Sequence, residues 1–351
     1  MTEVFPVTGR MRDDAPIMRK AAQVLARGGL VAFPTETVYG LGANGLDPQA
    51  VRRIFAAKGR PADNPLILHL PSFREVLDLI REPPAVLPRL AAAFWPGPLT
   101  LVLLRQAWVP EIVSAGLPTV AVRVPAHPVA LNLINTAALP VAAPSANTSG
   151  RPSPTLAAHV MQDLEGKVDL ILDGGPALIG LESTVLDLTH KVPRLLRPGG
   201  VTVEELRLVL GRDGLETVAD QVERPASPGM KYTHYAPHAP LTIIQGSQEA
   251  VKVAMFRRLS AAKAEGKLLG ALVHSESLSG LSGLGVILDL GPSGQPRIAA
   301  ERLFGLLRAC DEAKVDAILA EAESEDGMGL AVMNRLLKAA GGRSISAGEV
   351  V

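Results

Sequence analysis

The sequence predicts a two-domain α/β protein, and three of its features support that prediction. Amphipathic helical patterns alternate with short runs rich in β-branched residues, which is typical of layered α/β folds. The 351 residues exceed what one typical hydrophobic core organises. The alternation lapses where prolines and glycines accumulate. We therefore predict a first domain over residues 1–210, a linker over residues 211–240 and a second domain over residues 241–351.

Capping residues mark helix boundaries in the first domain. Asp47 is a typical N-cap and Gly59 a typical helix stop, so a helix is predicted between them. Ser72 and Thr202 each begin a capping box. The predicted elements are helices at residues 15–27, 47–58, from 72 onward and 202–210, a loop at 34–42, and strands at 30–33, 66–70, 99–104, 119–124, 141–143, 170–172, 183–188 and 195–196.

The second domain is predicted to be a smaller Rossmann-like α/β unit. A glycine-rich run at residues 280–285 precedes a strand rather than a helix, so we interpret it as a loop and not as a dinucleotide-binding turn. The predicted elements are strands at residues 241–244, 268–273, 286–290 and 317–319, and helices at 248–264, 298–309 and 330–340.

Charge and composition exclude several classes of protein. The 35 basic and 35 acidic residues cancel, so a general nucleic-acid binder is disfavoured and any anion site must be a local pocket. The single cysteine, Cys310, excludes a disulfide framework, and we expect it to be a buried residue on a helix. The N-terminal segment has no apolar signal region and no apolar run could span a bilayer. We therefore predict a cytoplasmic protein without membrane association.

Two cations flank the glycine that ends a predicted helix. Lys58 and Arg60 stand on either side of Gly59. Taken alone, they could complement the negative end of the helix dipole. Alternatively, they could bind a polyanion.

Polar side chains also follow several predicted strands, where α/β sheets usually bind ligands. Ser145 and Asn147 lie in a loop whose backbone N–H groups could bind an anion. Arg123 interrupts an apolar strand, so its guanidinium either pairs with a structural carboxylate or binds a ligand carboxylate. Arg197 lies at another strand end, and His69, taken alone, is expected to be a core histidine.

Considered together, these residues resemble one family, the threonylcarbamoyl-adenylate synthases in their long form with an added C-terminal domain. No single motif is specific, but their joint order along most of the chain is. The matching motifs lie at residues 33–41, 58–60 (Lys-x-Arg), 64–66, 95–100, 123–125, 145–147 (Ser-x-Asn), 182–185, 197–199 and 234–237.

This resemblance implies a fold, a reaction and partners. The first domain would be YrdC-like, a twisted mixed sheet with helices around a concave cavity. The enzyme would be a nucleotidyltransferase that condenses L-threonine, bicarbonate and ATP to threonylcarbamoyl-AMP and pyrophosphate. The product would pass to downstream threonylcarbamoyl-transfer proteins that modify an adenosine of tRNA. Mg2+ is expected with the phosphates, from the general logic of phosphoryl transfer, and no metal ligand is predicted in the chain.

The resemblance also implies roles for individual residues. The catalytic set would be Lys58, Arg60, Ser145 and Asn147. ATP would be bound by these four together with Asn64, Thr119, Arg197 and Tyr235. L-Threonine would be bound by Thr37, His69, Arg123, Ala143 and Ser183, with Arg123 on its carboxylate.

Some assignments stay open at this stage. The family's spacing selects Thr37 over Thr35, although the residues alone do not separate them. Glu36 and Glu182 are candidates for a general base, but no base is assigned, because bicarbonate or water could equally take the proton. The linker, with Lys231 and Tyr235 in it, is hypothesised to close over the nucleotide. The alternative function is a double-stranded RNA or tRNA binding protein of the same fold, and weak tRNA binding is also compatible with the enzyme.

Overall fold

The part of the chain that the structure describes forms two units. The computed structural model describes residues 1–217 and 234–349. Among these, residues 1–149 and 153–217 form the first unit, and residues 150–152 and 234–349 form the second. Most of the predicted linker lies outside the described residues.

The first unit is built on one mixed sheet. Its strands lie side by side in the order β1-β8-β2-β3-β7-β4-β6-β5-β9-β10-β11. Parallel pairs such as β4 with β6 occur beside antiparallel pairs such as β5 with β6, which confirms the predicted mixed sheet. The strands are β1 (Glu3–Pro6), β2 (Val31–Phe33), β3 (Gly40–Asn44), β4 (Ile67–His69), β5 (Leu99–Leu104), β6 (Thr119–Arg123), β7 (Val141–Ala142), β8 (Leu170–Asp173), β9 (Thr184–Asp187), β10 (Arg194–Arg197) and β11 (Glu216–Thr217).

Helices pack against this sheet and share a buried apolar cluster with it. Met18 of the first helix and Leu133 of the fifth pack in one buried cluster with Phe33 and Leu172 of the sheet. Burial of such side chains contributes about 1.5–3 kcal/mol each. The helices of this unit are α1 (Met11–Ala26), α2 (Pro48–Lys58), α3 (Phe73–Leu79), α4 (Leu87–Phe94), α5 (Pro128–Ala137), α6 (Ala157–Leu164) and α7 (Val203–Leu210).

Local capping fixes both ends of α2, as predicted. The Asp47 carboxylate accepts a hydrogen bond from the Gln49 backbone N–H at 2.8 Å. Gly59 ends the helix with φ at 61°, in the left-handed region that glycine adopts without strain. Lys58 is therefore the last helical residue, and the chain turns sharply directly after it.

Two local predictions were wrong. Residues 40–42, predicted as the end of a loop, belong to the strand β3, because pairing with β2 and β7 outweighs the turn preference of its glycines. Ser72 does not form a reciprocal capping box: its hydroxyl accepts from Arg74 N–H at 3.2 Å and contacts the Glu75 carboxylate instead. The capping box at Thr202 is confirmed.

The second unit is a smaller parallel sheet, which confirms the expected Rossmann-like class. Its strands lie in the order β14-β13-β15-β12-β16, and every neighbouring pair is parallel. Its elements are β12 (Leu241–Gln245), α8 (Gln248–Ala264), β13 (Leu269–His274), β14 (Val286–Gly291), α9 (Pro296–Glu312), β15 (Ala317–Glu321), α10 (Met328–Ala339) and β16 (Ser344–Ser346).

Cys310 lies buried on α9, as predicted for a small apolar side chain. Burial raises the pKa of its thiol to about 12, so this cysteine is held in its unreactive form. Among the described residues, no helix combines the length and apolar character needed to cross a bilayer.

Candidate active site

The register of three central strands brings the predicted L-threonine contacts together. β4 pairs in parallel with β6, and His69 lies opposite Arg123. β7 runs antiparallel to β4, with Val141 opposite His69. Ala143 follows β7 and donates its N–H to Ile67 O at 2.9 Å. His69 and Arg123 thus share the carboxyl ends of β4 and β6, with Ala143 beside the same strands.

Arg123 is the centre of this end of the site. Its Nη1 donates to Thr37 Oγ1 at 2.9 Å and its Nε donates to Gly97 O at 3.2 Å. Its Nη2 forms an ion pair with Glu36 Oε1 at 2.6 Å. The sequence left two alternatives for Arg123, a structural carboxylate or a ligand carboxylate, and the two do not exclude each other. Arg123 pairs with Glu36, yet its Nη2 makes no aligned hydrogen bond with the described residues and can still donate to a ligand.

The structure separates the roles of Thr35 and Thr37. Thr35 Oγ1 donates to Val38 O at 2.6 Å and accepts from the N–H groups of Thr37 and Val38 at 3.2 Å. Thr35 therefore shapes the turn. The Thr37 hydroxyl contacts both Arg123 and Thr35, at 2.9 and 2.8 Å. Thr37 is the one of the two that belongs to the Arg123 cluster.

His69 is a buried, neutral imidazole. Its Nδ1 lies 3.2 Å from Ile67 O, and the Phe33 ring packs edge-on at 6.2 Å between ring centroids. Burial, and secondarily the neighbouring Arg123 charge, lower the pKa of His69 to about 3. At neutral pH it can exchange hydrogen bonds with a ligand hydroxyl but adds no positive charge to the site.

Replacing His69 by glutamine is expected to flatten the acid dependence of stability. The imidazole titrates near pH 6.5 in an unfolded chain but near pH 3 when folded, so the unfolded chain takes up the proton first. The contribution of His69 to the free energy of unfolding is therefore fully present above about pH 6.5 and is lost as the pH falls toward about 3. Between about pH 7 and about pH 4.5, the unmodified protein should lose about 2–3 kcal/mol more than His69→Gln.

Urea unfolding followed by tryptophan fluorescence measures this difference. Trp95 and Trp108, the two tryptophans of the chain, lie in the first unit, so the signal reports the unit that contains His69. Equal pH dependences for the two proteins would contradict a buried neutral imidazole.

Ser183 and Arg197 extend the same end of the site. β9 runs parallel to β5 with Thr184 opposite Leu99, and β5 runs antiparallel to β6. This register places Ser183 at the Arg123 end of β6. Arg197 donates from Nε and Nη2 to Ser183 O at 3.1 and 2.9 Å, and from Nη2 to Ser183 Oγ at 3.2 Å.

The backbone at Gly199 passes very close to the backbone at Glu182 and Ser183, and this approach keeps Arg197 beside Ser183. A Cβ atom at Gly199 would lie 2.4 Å from Glu182 O, so only glycine lets this segment pass so near. Glu182 accepts a hydrogen bond from Ser153 Oγ at 2.5 Å. Arg197, predicted for ATP, is thus bonded to Ser183, predicted for L-threonine.

The opposite end of the same strands carries most of the predicted ATP contacts. Thr119 is the first residue of β6 and Arg123 the last, which separates them by about 13 Å along the strand. Arg60 Nη2 donates to Pro65 O at 3.0 Å, and its Nε donates to Asn64 O at 3.3 Å. Because Ile67 lies opposite Ala121, Pro65 lies at the level of Thr119. This places Arg60 and Asn64 at the Thr119 end.

The Lys-x-Arg and Ser-x-Asn motifs form one connected structure. Lys58 is only 1% exposed, and its Nζ donates to Ser145 O at 2.5 Å and to Asn147 O. The Ser145 hydroxyl donates to Asn147 Oδ1 at 2.5 Å, and Ser149 N–H donates to Lys58 O at 2.9 Å. The Lys58 ammonium therefore positions the loop of residues 145–149 rather than only complementing its own helix.

Apolar side chains lie between the two polar ends. Side chains two apart on a strand share a face, so Thr119, Ala121 and Arg123 point to one side of the sheet. Ala121 belongs to a small buried cluster on that face. The cluster is made of Ile67, Val102, Ala121, Val185 and Leu196.

Tyr235 is placed in the second unit. It is buried with φ at 65°, its ring centroid lies 5.2 Å from that of Phe304, and the Arg335 guanidinium lies 5.3 Å from its ring centroid. Its role in ATP binding stays a prediction. Lys231, named in the lid hypothesis, lies outside the described residues.

The sequence interpretation missed several contacts of this site. Glu36 was named only as a candidate general base, and its pairing with Arg123 was not predicted. Thr100, whose Oγ1 lies 2.7 Å from Ser183 Oγ, was not singled out either. Thr100 and Gly97 could have been identified as site residues because both lie in the family motif at residues 95–100.

Known proteins similar to this chain match it over both units. The family profile of Sua5, YciO and YrdC proteins, described as "Telomere recombination", matches residues 23–199, and the profile "Threonylcarbamoyl-AMP synthase, C-terminal domain" matches residues 201–341. The chain is 49% identical over 330 residues to a threonylcarbamoyl-AMP synthase of Pyrococcus abyssi, covering 93% of this chain and 95% of that protein. It is 47% identical over 341 residues to the Bacillus subtilis enzyme of the same name, covering 97% of each.

A solved structure gives the same result. P. abyssi Sua5 complexed with L-threonine superposes with a TM-score of 0.91 at 46% identity, covering 99% of each chain. The chain therefore belongs to the threonylcarbamoyl-AMP synthase family, in its two-domain Sua5 form.

Proposed function

We propose that this chain is an L-threonylcarbamoyladenylate synthase, a nucleotidyltransferase that uses L-threonine, bicarbonate and ATP. The observation that carries the proposal is the arrangement of polar groups along β4 and β6. One end holds Arg123, His69, Thr37 and Ser183, and the other end holds the connected Lys-x-Arg and Ser-x-Asn motifs. Two polar sites at opposite ends of the same strands suit an amino acid and a triphosphate bound end to end.

The reaction joins anions, so positioning and charge neutralisation are the main tasks. The ammonium of L-threonine and bicarbonate give the carbamate, one water and one proton. A carbamate oxygen then attacks the α-phosphorus of ATP, and the bond to pyrophosphate breaks. Arg123 would bind the carboxylate of L-threonine. His69, which is uncharged at neutral pH, would bind its hydroxyl.

The remaining cations are assigned to the nucleotide. Arg60 and the backbone N–H groups of the loop that Lys58 holds would face the phosphates, together with Asn64 and Thr119. Asn64 Oδ1 is buried and accepts no hydrogen bond from the described residues, so a polar ligand group would satisfy it. Arg197, held on Ser183, would lie where the two substrates meet. Tyr235 would complete the ATP site.

Mg2+ would travel with the phosphates rather than with the protein. Within residues 1–217 and 234–349, no group of three or more histidine, cysteine or acidic side chains is placed to hold a metal ion. Arg60 brings a positive charge to this end of the site, which suits phosphate oxygens. We therefore assign no step of the reaction to a protein-bound metal.

The product would be consumed by proteins that transfer the threonylcarbamoyl group to tRNA. We also propose that the enzyme is cytoplasmic. A lid made by the linker would exclude water from the labile acyl-adenylate. That lid remains a hypothesis.

Pyrophosphate release tests the proposal. The full chain with ATP is expected to release pyrophosphate only when both L-threonine and bicarbonate are present. Omitting either substrate is the control. Salt-sensitive binding of RNA without turnover that depends on threonine would support the RNA-binding alternative instead.

A further inference from the structure

Glu36 is a buried carboxylate with unfilled hydrogen-bonding capacity. Its residue is 6% exposed, and neither carboxylate oxygen accepts a hydrogen bond from the described residues. Its charged contact is the ion pair with Arg123 Nη2 at 2.6 Å, whose geometry is not that of an aligned hydrogen bond. An ionised carboxylate offers about four acceptor positions, and leaving them unfilled in a buried site is costly.

Arg123 has unfilled capacity on the same side. A guanidinium carries five N–H donors. Hydrogen bonds to Gly97 O and Thr37 Oγ1 use one on Nε and one on Nη1, and Nη2 makes no aligned hydrogen bond with the described residues. A cation and an anion thus stand side by side, each with sites left for a ligand.

An α-amino acid carries the matching pair of charges. At neutral pH its carboxylate and ammonium are attached to one carbon atom. The other charged groups assigned to the site are cations, Lys58, Arg60 and Arg197, while His69 is neutral because burial lowers its pKa. Glu36 is the carboxylate that lies in contact with Arg123 at this end of the site.

We propose that Glu36 binds the ammonium of L-threonine while Arg123 binds its carboxylate, so that the Glu36–Arg123 pair is the receptor for the zwitterion. This inference rests on the proposed function and adds a specificity-determining residue to it. It also gives Glu36 a second effect. When the ammonium has become a carbamate, attraction to Glu36 turns into repulsion, which favours movement of the carbamate toward the phosphates.

Calorimetric titration of the full chain with two ligands tests the proposal. L-Threonine and 3-hydroxybutyrate share the carboxylate and the hydroxyl, but only L-threonine has the ammonium. The unmodified protein is expected to bind L-threonine at least about tenfold more tightly, since a hydrogen-bonded charge contributes about 1.5–3 kcal/mol. Glu36→Gln should weaken L-threonine binding by roughly 10–100-fold and leave 3-hydroxybutyrate binding unchanged or tighter.

Asp187→Asn is the matched control. Asp187 is 5% exposed and lies at the far end of β9, where it accepts from Thr189. The control should bind both ligands as the unmodified protein does, which separates loss of the Glu36 charge from loss of any buried carboxylate in this unit.

Each other outcome has a distinct meaning. Equal binding of L-threonine by Glu36→Gln and the unmodified protein would overturn the proposal and leave the proposed function intact. If Glu36→Gln binds neither ligand, Glu36 serves only to hold Arg123 in place, and the proposal is overturned. Equal affinities of the unmodified protein for L-threonine and 3-hydroxybutyrate would overturn the proposal before any variant is made. An unmodified protein that does not bind L-threonine at all would contradict the proposed function itself.

Discussion

Lys58→Met is expected to abolish threonine-dependent pyrophosphate release and to lower the free energy of unfolding of the first unit by about 2–4 kcal/mol. Methionine keeps the buried stem but removes the ammonium, which donates to the carbonyl groups of Ser145 and Asn147. Those carbonyls would lose a charged donor, and the loop that carries the Ser-x-Asn motif would lose its anchor.

Urea unfolding followed by tryptophan fluorescence, together with the pyrophosphate assay, measures both effects. Lys20→Met is the control, because Lys20 forms an exposed ion pair with Glu3 whose loss should cost no more than about 1 kcal/mol. Unchanged stability with lost turnover would show that Lys58 acts on the phosphates without holding the loop. Normal turnover would contradict a role of Lys58 in the reaction, and unchanged stability would contradict its role in holding the loop.

Arg123→Met is expected to lower kcat/KM for L-threonine by at least about a thousandfold and stability by about 3–5 kcal/mol. The substitution removes the group assigned to the substrate carboxylate. It also leaves Glu36 as a buried charge without its cationic partner, which is the costly way to break a buried ion pair.

The double variant Arg123→Met with Glu36→Gln separates these two effects. Removing both charges should recover most of the lost stability, because no unpaired buried charge remains, but should recover none of the activity. Arg194→Met, which breaks an exposed pair with Glu216, is the control for loss of an arginine on this sheet. A double variant no more stable than Arg123→Met would contradict the assigned ion pair.

The elements that the sequence predicted well are those with strong local signals. Asp47 and Gly59 cap α2 as their residue types predict. The strand β6 follows from a run of β-branched residues. In contrast, β3 was not predicted, because its glycines are typical of turns and its strand form depends on pairing with β2 and β7, which are distant in sequence.

The site residues could be gathered by motif, but their contacts could not. Arg123 and Glu36 are far apart in the chain, and only the register of the sheet brings them together. The Lys-x-Arg spacing is equally compatible with an ammonium that faces a phosphate and with one that faces carbonyls. The bond from Arg197 to Ser183 depends on close backbone packing at Gly199, which residue types do not reveal.

The most direct test of the proposed reaction is mass spectrometry of the product made from ATP, L-threonine and bicarbonate labelled with carbon-13. The proposed chemistry predicts threonylcarbamoyl-AMP one mass unit heavier than the product from unlabelled bicarbonate, in amounts equal to the pyrophosphate released. Formation of threonyl-AMP without the label, or pyrophosphate release without any labelled adenylate, would contradict it.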